Sequence, residues 1–161
     1  MKLRKKKYYF ERVDGVPEPL IVEIRRRVRL SEVDVMGVVW HGRYSIYFEE
    51  AAAEIGRLCG MSYRDFYEAE LRAPIVEFHI DYYKPIFLDE EFTIRTVLVW
   101  HEGSRMNTEY YLLKQDGSLA ASGYTVQLFI YPGSWEVCIV SPGLLEKCRK
   151  RWKAGEFKCL S

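Results

Sequence analysis

Apolar residues recur at helical spacing in one long stretch of the chain, which begins at Tyr44. Intervals of three and four residues between them are typical of one face of an α-helix, with polar residues on the other face. Gly60 is placed to end this helix, because glycine readily adopts the left-handed conformation that a helix C-terminus often needs. The pattern therefore predicts one long amphipathic helix, whose buried face carries Tyr44, Tyr47, Phe48, Ala51, Ile55, Leu58 and Cys59.

Strand-like patterns account for most of the remaining chain. Before the helix, apolar and polar residues alternate from Ile21 to Leu30, apart from Ile21 itself and Arg26, which predicts a half-buried strand with a basic outer face. One strand, a long helix and a run of antiparallel strands predict an α+β fold, in which the helix lies across a curved sheet. The later strands are expected in four stretches rich in Val, Ile, Thr and aromatic residues, at 74–83, 91–100, 105–114 and 119–131.

Shorter signals predict how the chain begins and ends. The pattern from Tyr8 to Arg29 predicts two strands around a turn at 14–19. Near the other end, the pattern predicts a last strand at 135–140, and Ser141 with Pro142 predicts the cap and first turn of a C-terminal helix. The chain therefore divides into an extension at 1–19, a single domain at 20–152 and a tail at 153–161.

Composition and charge narrow the function classes. With 161 residues, 48% of them hydrophobic, the chain is large enough for one domain with a substantial core. Its 24 basic and 23 acidic residues are nearly balanced, which argues against a dedicated nucleic-acid-binding protein. No apolar run approaches the roughly 18 residues of a membrane span, and none follows the basic N-terminus as a secretion signal requires. We expect a cytoplasmic protein with no membrane span and no nucleic-acid partner.

Residues suited to a metal or cofactor site are few and scattered. The four cysteines show no CxxC spacing, so neither a zinc site nor a disulfide framework is indicated. The three histidines show neither HxH nor HExxH spacing, and His79 and His101 fall within strand patterns. A glycine-rich phosphate loop and a serine nucleophile elbow are both absent from the sequence. We expect no metal and no cofactor.

The loop that leads into the long helix carries the most informative acid, Asp34. In one interpretation Asp34 is an ordinary loop or capping aspartate, as an aspartate before a helix commonly is. In the other it is a catalytic carboxylate that faces the N–H groups and the positive dipole end at the helix start. The spacing between Asp34 and Tyr44 permits both interpretations.

Three parts of the chain together resemble a known family. They are DVMGVVWHGRY at 34–44 followed by YFE at 47–49, DYYKP at 81–85 followed by Leu88-Asp89, and Ser104 two residues after Glu102. This combination resembles hotdog-fold acyl-CoA thioesterases, in the 4-hydroxybenzoyl-CoA thioesterase-like branch that includes the Tol-Pal-associated thioesterases. The resemblance extends from about Val28 to Pro142. It implies a hotdog fold and a homodimer or homotetramer, in which each active site lies between two subunits.

The resemblance also implies an activity, the hydrolysis of a thioester of coenzyme A or of an acyl-carrier protein. Asp34 would attack the carbonyl carbon or activate the attacking water, and the sequence leaves both roles open. The backbone N–H of His41 would hold the developing oxyanion, and the His41 side chain is a further catalytic candidate. Coenzyme A phosphates need positive groups, for which Arg105 and Lys84 are candidates. The implied substrate-binding residues are Gly37, Tyr44, Tyr83 and Arg105.

Three positions at the helix entrance depart from the family pattern. Trp40 stands where tyrosine is common, Arg43 where a small polar residue is common, and Glu50 where arginine is frequent. These departures bear on acyl selectivity more than on the reaction type. Two rival functions stay open: a hotdog hydratase or dehydratase, which would use His41 and Glu49 as an acid–base pair, and a non-catalytic acyl-CoA-binding protein.

Overall fold

The computed structural model describes residues 8–157. Residues 1–7 of the predicted extension and residues 158–161 of the predicted tail lie outside this description. The described elements are β1 (Leu20–Arg27), α1 (Tyr44–Cys59), α2 (Tyr63–Glu68), β2 (Ile75–Tyr82), β3 (Glu91–Val99), β4 (Arg105–Lys114), β5 (Leu119–Leu128) and α3 (Gly143–Lys153), with short 3-10 helices at Leu30–Glu32 and His41–Arg43.

The five strands form one antiparallel sheet in the order β1-β3-β4-β5-β2. In this order β1 and β2 are the two edges, and β4 lies at the centre. The helix α1 packs across one face, which we call the inner face. The predicted α+β fold, with a long helix lying across an antiparallel sheet, is confirmed.

Aromatic side chains join α1 to the inner face. The Phe48 ring stacks on Tyr110 with 4.2 Å between ring centroids, and Tyr47 lies 5.0 Å from Phe92. Full burial of a phenylalanine side chain contributes roughly 1.5–3 kcal/mol to the stability of a fold. Gly123 permits the close approach, because a Cβ atom there would lie 2.1 Å from the His79 carbonyl oxygen and 2.8 Å from the Phe48 ring.

The helix α1 begins and ends where the apolar pattern predicts. Its C-cap is Gly60, with φ of 73°, and the Gly60 N–H donates to the Gly56 carbonyl oxygen. Six of the seven residues of the predicted buried face are buried, and Leu58 is half-buried. The helical period therefore predicted both the extent of α1 and the side that it turns to the sheet.

The prediction of a strand as the first arm of an N-terminal hairpin is wrong. Residues 8–19, which we call the N-terminal strap, form no strand and cross the outer face of the sheet. The backbone N–H groups of Tyr9 and Phe10 each donate to Oε1 of Glu109 at 2.9 Å, so they are not available to a neighbouring strand. The Tyr9 hydroxyl donates to Oδ2 of Asp81 at 2.6 Å. Side chains of the sheet therefore hold the strap in place.

The strap depends on a carboxylate that is fully buried, since Glu109 is 0% exposed. Besides the two backbone N–H groups, Oε2 of Glu109 accepts hydrogen bonds from Arg12 Nη2 at 2.7 Å and from the Tyr111 hydroxyl at 2.8 Å. A buried carboxylate is costly unless it is paired and hydrogen-bonded. The strap supplies most of these donors, so the strap and Glu109 stabilise each other.

The prediction of a last strand at 135–140 is also wrong. Residues 135–140 contribute only an isolated bridge, between Val137 and Ile130. The turn after Tyr131 closes tightly, because the Trp135 N–H donates to the Tyr131 carbonyl oxygen at 2.9 Å. Trp135 itself has φ of 58°, which is incompatible with an extended strand.

The predicted cap of the C-terminal helix is displaced by one residue. Pro142 is the N-cap of α3, and the helix begins at Gly143. The hydroxyl of Ser141 accepts a hydrogen bond from Arg149 Nη1 at 2.7 Å instead of capping the helix. The same guanidinium also donates to the Gly103 carbonyl oxygen at 2.6 Å, so α3 is fastened to the β3–β4 connection.

Candidate active site

Asp34 lies at the start of a small hairpin loop. Val33 and Val39 form an antiparallel bridge at its base. Inside that bridge the Asp34 N–H donates to the Val38 carbonyl oxygen at 2.9 Å, and the Gly37 N–H donates to the Asp34 carbonyl oxygen at 3.0 Å. Gly37 has φ of 72°, as the glycine that follows a tight turn in a three-residue hairpin loop usually has.

Replacing Gly37 with alanine isolates the cost of this backbone conformation. A Cβ atom at Gly37 would meet nothing within 4 Å, so the substitution creates no steric overlap. We expect Gly37→Ala to lower the free energy of unfolding by about 1–2 kcal/mol, because alanine disfavours a left-handed φ. Urea denaturation checks this value, with Gly37→Asn as the matched variant, since asparagine tolerates the left-handed region better. Equal losses in both variants would contradict the explanation.

The Asp34 carboxylate bonds to its own turn. Oδ1 accepts a hydrogen bond from the Met36 N–H at 2.8 Å, and the residue is half-buried. The N-cap of the 3-10 helix that precedes α1 is Trp40, with no side-chain cap. Within this chain Asp34 is therefore a turn aspartate rather than a helix cap. The turn holds the carboxylate in a defined orientation at the edge of the molecule.

The loop packs against the second part of the chain that resembles the family. The Val39 N–H donates to the Ile86 carbonyl oxygen at 2.8 Å, and the Leu88 N–H donates to the Gly37 carbonyl oxygen at 3.1 Å. Val38 forms a bridge with Phe87 between these bonds. Segments 34–44 and 81–89, which are separate in sequence, therefore form one surface.

The helix start supplies backbone donors beside this surface. His41 opens the 3-10 helix that runs directly into α1. The first N–H groups of a helix have no intrahelical acceptor and lie at its positive dipole end. The Tyr82 hydroxyl donates to the His41 carbonyl oxygen at 3.2 Å, which fixes the orientation of that residue. The His41 side chain is exposed, with its ring 5.0 Å from the Trp40 ring.

A shallow depression of about 290 Å³ lies next to the helix start. His41, Tyr44, Tyr83 and Lys84 all line it. Tyr44 is buried, its ring lies 4.9 Å from Tyr82, and burial raises the pKa of Tyr44 to about 12, so its hydroxyl is protonated at neutral pH. The structure thus brings together four of the residues that the resemblance implies.

Tyr83 lines the depression, but its hydroxyl group does not face the helix start. Its hydroxyl lies 3.3 Å from Oγ of Ser122, which is also 2.6 Å from the Tyr9 hydroxyl of the N-terminal strap. The phenol group of Tyr83 therefore extends toward the outer face of the sheet. Its predicted role in substrate binding stays a prediction.

Arg105 is distant from the depression in the same chain. Arg105 begins β4 and pairs with Leu128. Tyr83, which lines the depression, follows β2 at the other end of the sheet, where its N–H donates to the Ala120 carbonyl oxygen at 2.8 Å. Ala121 pairs with Leu112 of β4, and the path from Arg105 to Leu112 is about 23 Å at about 3.3 Å per residue. Arg105 contacts its own strand instead, donating from Nε to Asn107 Oδ1 at 2.9 Å. Its predicted phosphate role stays a prediction.

The pairing of two charged residues beneath the loop was not predicted from the sequence. Glu32 is 4% exposed, and Oε1 accepts a hydrogen bond from Arg26 Nη2 at 3.2 Å. Arg26 also pairs with Glu50 of α1. One signal was visible in the sequence, since Arg26 interrupts the apolar alternation of β1. Its two partners could not be predicted, because acids near a helix are usually solvated.

Two further observations concern metal binding and membrane insertion. Within residues 8–157, no cluster of three or more His, Cys, Asp or Glu side chains is arranged to hold a metal ion. In the same part of the chain, none of the helices is long and apolar enough to cross a membrane. The predicted cytoplasmic location stays a prediction.

Comparison with known proteins identifies the family. The sequence profile described as the thioesterase-like superfamily matches residues 28–147, which is most of the chain. This chain belongs to the thioesterase-like superfamily. It is a thioester hydrolase with a hotdog fold, as the resemblance implied, whereas the Tol-Pal-associated branch stays a prediction.

Individual proteins agree with this family. A putative esterase of Aquifex aeolicus is 32% identical over 96 residues, covering 60% of this chain and 75% of the relative. The putative acyl-CoA thioesterase YneP of Bacillus subtilis is 27% identical over 93 residues, covering 58% and 67%. The crystal structure of a DHNA-CoA thioesterase from Staphylococcus aureus superposes with a TM-score of 0.73 at 22% identity, covering 88% of this chain and 99% of that one. At that identity the structural likeness shows the fold alone.

Proposed function

We propose that this thioesterase hydrolyses acyl-CoA thioesters at the Asp34 loop, with the Asp34 carboxylate as the reacting group. The observation that carries the proposal is the placement of the loop, whose turn orients the carboxylate at a surface that continues into the helix start at His41. A thioester carbonyl bound there would have an acid on one side and backbone donors on the other. Acyl transfer to water needs these two components.

The chemistry follows from this arrangement. Asp34 either attacks the carbonyl carbon, forming an anhydride that water then hydrolyses, or removes a proton from the water that attacks. In both routes the carbonyl oxygen becomes an oxyanion held by the His41 N–H, and the C–S bond breaks as coenzyme A leaves as a thiolate. The thiolate takes a proton from solvent in the first route and the proton held by Asp34 in the second. The loss of one such donor typically costs about 10²–10³ in turnover. The Tyr82 hydroxyl bond to His41 keeps that peptide group in place.

Exposed apolar residues at the loop tip and along the edge strand β2 support a dimer. Val35 and Met36 at the loop tip are 105% and 74% exposed, although both are apolar. The edge strand β2 also presents exposed apolar residues, with Val76 at 50% and Phe78 at 44%. An unpaired edge of this kind is suited to pairing with another strand. We propose that two copies pair antiparallel along β2 about a two-fold axis.

This pairing would give Arg105 a role that it lacks within one chain. Ile75 at the start of β2 lies at the same end of the sheet as Arg105, since both strands pair there with β5 at Gln127 and Leu128. Antiparallel pairing brings the start of β2 in one copy to the end of β2 in the other. Arg105 of the second copy would then lie on the side of the His41 depression, where the phosphates of coenzyme A need a cation.

Sedimentation and an activity assay together test the dimer. We expect sedimentation at micromolar concentration to give twice the 19.0 kDa chain mass, or a higher even multiple. Val76→Asp should shift the protein toward monomer, because it places a charge in the proposed interface. The control is Val13→Asp, a substitution at a 60% exposed position outside β2, which should leave the mass unchanged. A fully active monomer would contradict the proposed assembly.

Two substrates separate hydrolysis from the rival functions. Saturated acyl-CoAs should release free thiol, whereas an enoyl-CoA should not gain water across its double bond. Hydration of the enoyl-CoA without thiol release would support a hydratase, and tight binding without either reaction would support an acyl-CoA-binding protein. Glu49 is exposed on α1 eight residues after His41, which separates the two by about 12 Å along the helix axis at about 1.5 Å per residue and disfavours an acid–base pair.

A further inference from the structure

A cluster of charges around the buried Glu32 lies at the base of the Asp34 loop. Arg26, on the inner side of β1, bonds to Glu32 before the loop and to Glu50 on α1. Glu32 is 4% exposed, and the Arg26 side chain is 18% exposed. Burial of such groups is costly unless they are paired and hydrogen-bonded. The cluster joins three separate elements: β1, the loop and α1.

Glu32 holds the base of the loop through both its side chain and its backbone. Oε2 accepts a hydrogen bond from the Arg29 N–H at 2.8 Å, on the side where the loop begins. The Glu32 carbonyl oxygen accepts a hydrogen bond from the Trp40 N–H at 2.9 Å, on the side where the loop ends. Asp34 lies two residues after Glu32, and His41 directly follows Trp40. Glu32 therefore connects the segment that carries Asp34 to the segment that carries His41.

The surroundings leave Glu32 little freedom to move. Tyr47 of α1 is 0% exposed and lies close enough to Glu32 that, besides burial, the carboxylate charge raises the pKa of Tyr47. The Arg26 guanidinium lies 5.6 Å from the centre of the Tyr47 ring. A buried charged group with fixed partners on both sides restricts the backbone that carries it.

We infer that Glu32 is a positioning residue, which sets the distance between the Asp34 carboxylate and the His41 N–H through the cluster with Arg26 and Glu50. The inference rests on the proposed function, since these two groups must act on one carbonyl. Misplacement of a reacting group by about 1 Å can cost about 10²-fold in rate. Glu32 is 4% exposed beneath the loop, so its effect is expected on the barrier and not on substrate binding.

Glu32→Gln tests the inference. Glutamine keeps the size and can accept from Arg29, but it removes the charge that faces Arg26. We expect kcat to fall at least about 10-fold with KM for acyl-CoA within about twofold. Amide hydrogen exchange at 33–41 should become faster in the free protein. Glu50→Gln, at a side chain that is 37% exposed, is the milder second variant and should show a smaller fall in kcat with the same unchanged KM.

Glu109→Gln is the matched control. It neutralises another buried, arginine-paired carboxylate, on the outer face and without contact to the loop. It should lower stability while leaving kcat and exchange at 33–41 at wild-type values. If the wild-type protein hydrolyses acyl-CoA and both Glu32→Gln and Glu50→Gln keep the wild-type kcat, the positioning role is overturned and the proposed function stands. If the wild-type protein hydrolyses no acyl-CoA, the proposed function is wrong and the positioning role falls with it.

Discussion

Asp34→Asn is expected to lower kcat at least about 100-fold, the lower range for a positioned acid–base group. Asparagine keeps the size of the side chain and can still accept the hydrogen bond from the Met36 N–H. It loses the negative charge and with it nearly all nucleophilicity and basicity. Folding and acyl-CoA binding should be preserved, because the carboxylate acts on the barrier more than on the ground state. Steady-state thiol release, with binding measured separately, checks the result.

The chain offers a matched control for this substitution. Asp116 accepts a hydrogen bond from the Ser118 N–H at 2.9 Å, the same two-residue turn that Asp34 forms with Met36. Asp116→Asn should therefore reproduce any local effect on the turn while leaving kcat unchanged. Near-normal hydrolysis by a folded Asp34→Asn protein would remove Asp34 from the mechanism.

Glu109→Ala is expected to lower the free energy of unfolding by about 3 kcal/mol, the low end of the usual cost of removing one partner of a buried ion pair, because the Arg12 side chain is 27% exposed and stays partly hydrated. The substitution removes the carboxylate that accepts hydrogen bonds from Arg12, from the Tyr111 hydroxyl and from two backbone N–H groups of the strap. Chemical denaturation measures the loss. Protein concentration must be held constant, because self-association would add to apparent stability.

A surface pair serves as the control for this loss. Glu54 bonds to Arg57 on α1, and the two side chains are 42% and 57% exposed. Glu54→Ala should cost less than about 1 kcal/mol, as exposed ion pairs generally do. A similarly small loss in Glu109→Ala would mean that the strap contributes little to the stability of the domain.

The regular elements could be predicted because their signals are periodic and local. The apolar residues of α1 repeat at helical spacing over four turns, and Gly60 ends them. The strands from β2 to β5 are rich in β-branched and aromatic residues and are separated by turn residues. Neither signal requires knowledge of a distant partner.

The N-terminal strap could not be predicted, because its contacts are distant in sequence. Glu109 shares its side of β4 with Arg105 and Asn107, as a residue on a solvated face does. Its partners Tyr9, Phe10 and Arg12 precede it by about a hundred residues. Only the folded structure shows that the strap covers the outer face of the sheet. Glu109, which resembles a surface acid in the sequence, is buried for that reason.

The candidate site was predicted unevenly for a similar reason. Asp34, Gly37 and His41 lie in one continuous segment, so a resemblance in sequence found them together. Glu32 and Arg26 come from different elements and meet only in the folded chain. Arg105 is separated from the loop in the single chain, and only the proposed dimer would bring a copy of it near.

The central claim is that this chain hydrolyses a thioester, and the oxygen of the acid product tests it most directly. The wild-type protein is incubated with an acyl-CoA in ¹⁸O-labelled water, and the acid product is analysed by mass spectrometry with free thiol measured in parallel. We predict one molecule of acid for each free coenzyme A, with an oxygen from the labelled solvent in its carboxyl group. Recovery of the thioester intact across aromatic, short-chain and long-chain acyl-CoAs would contradict the account.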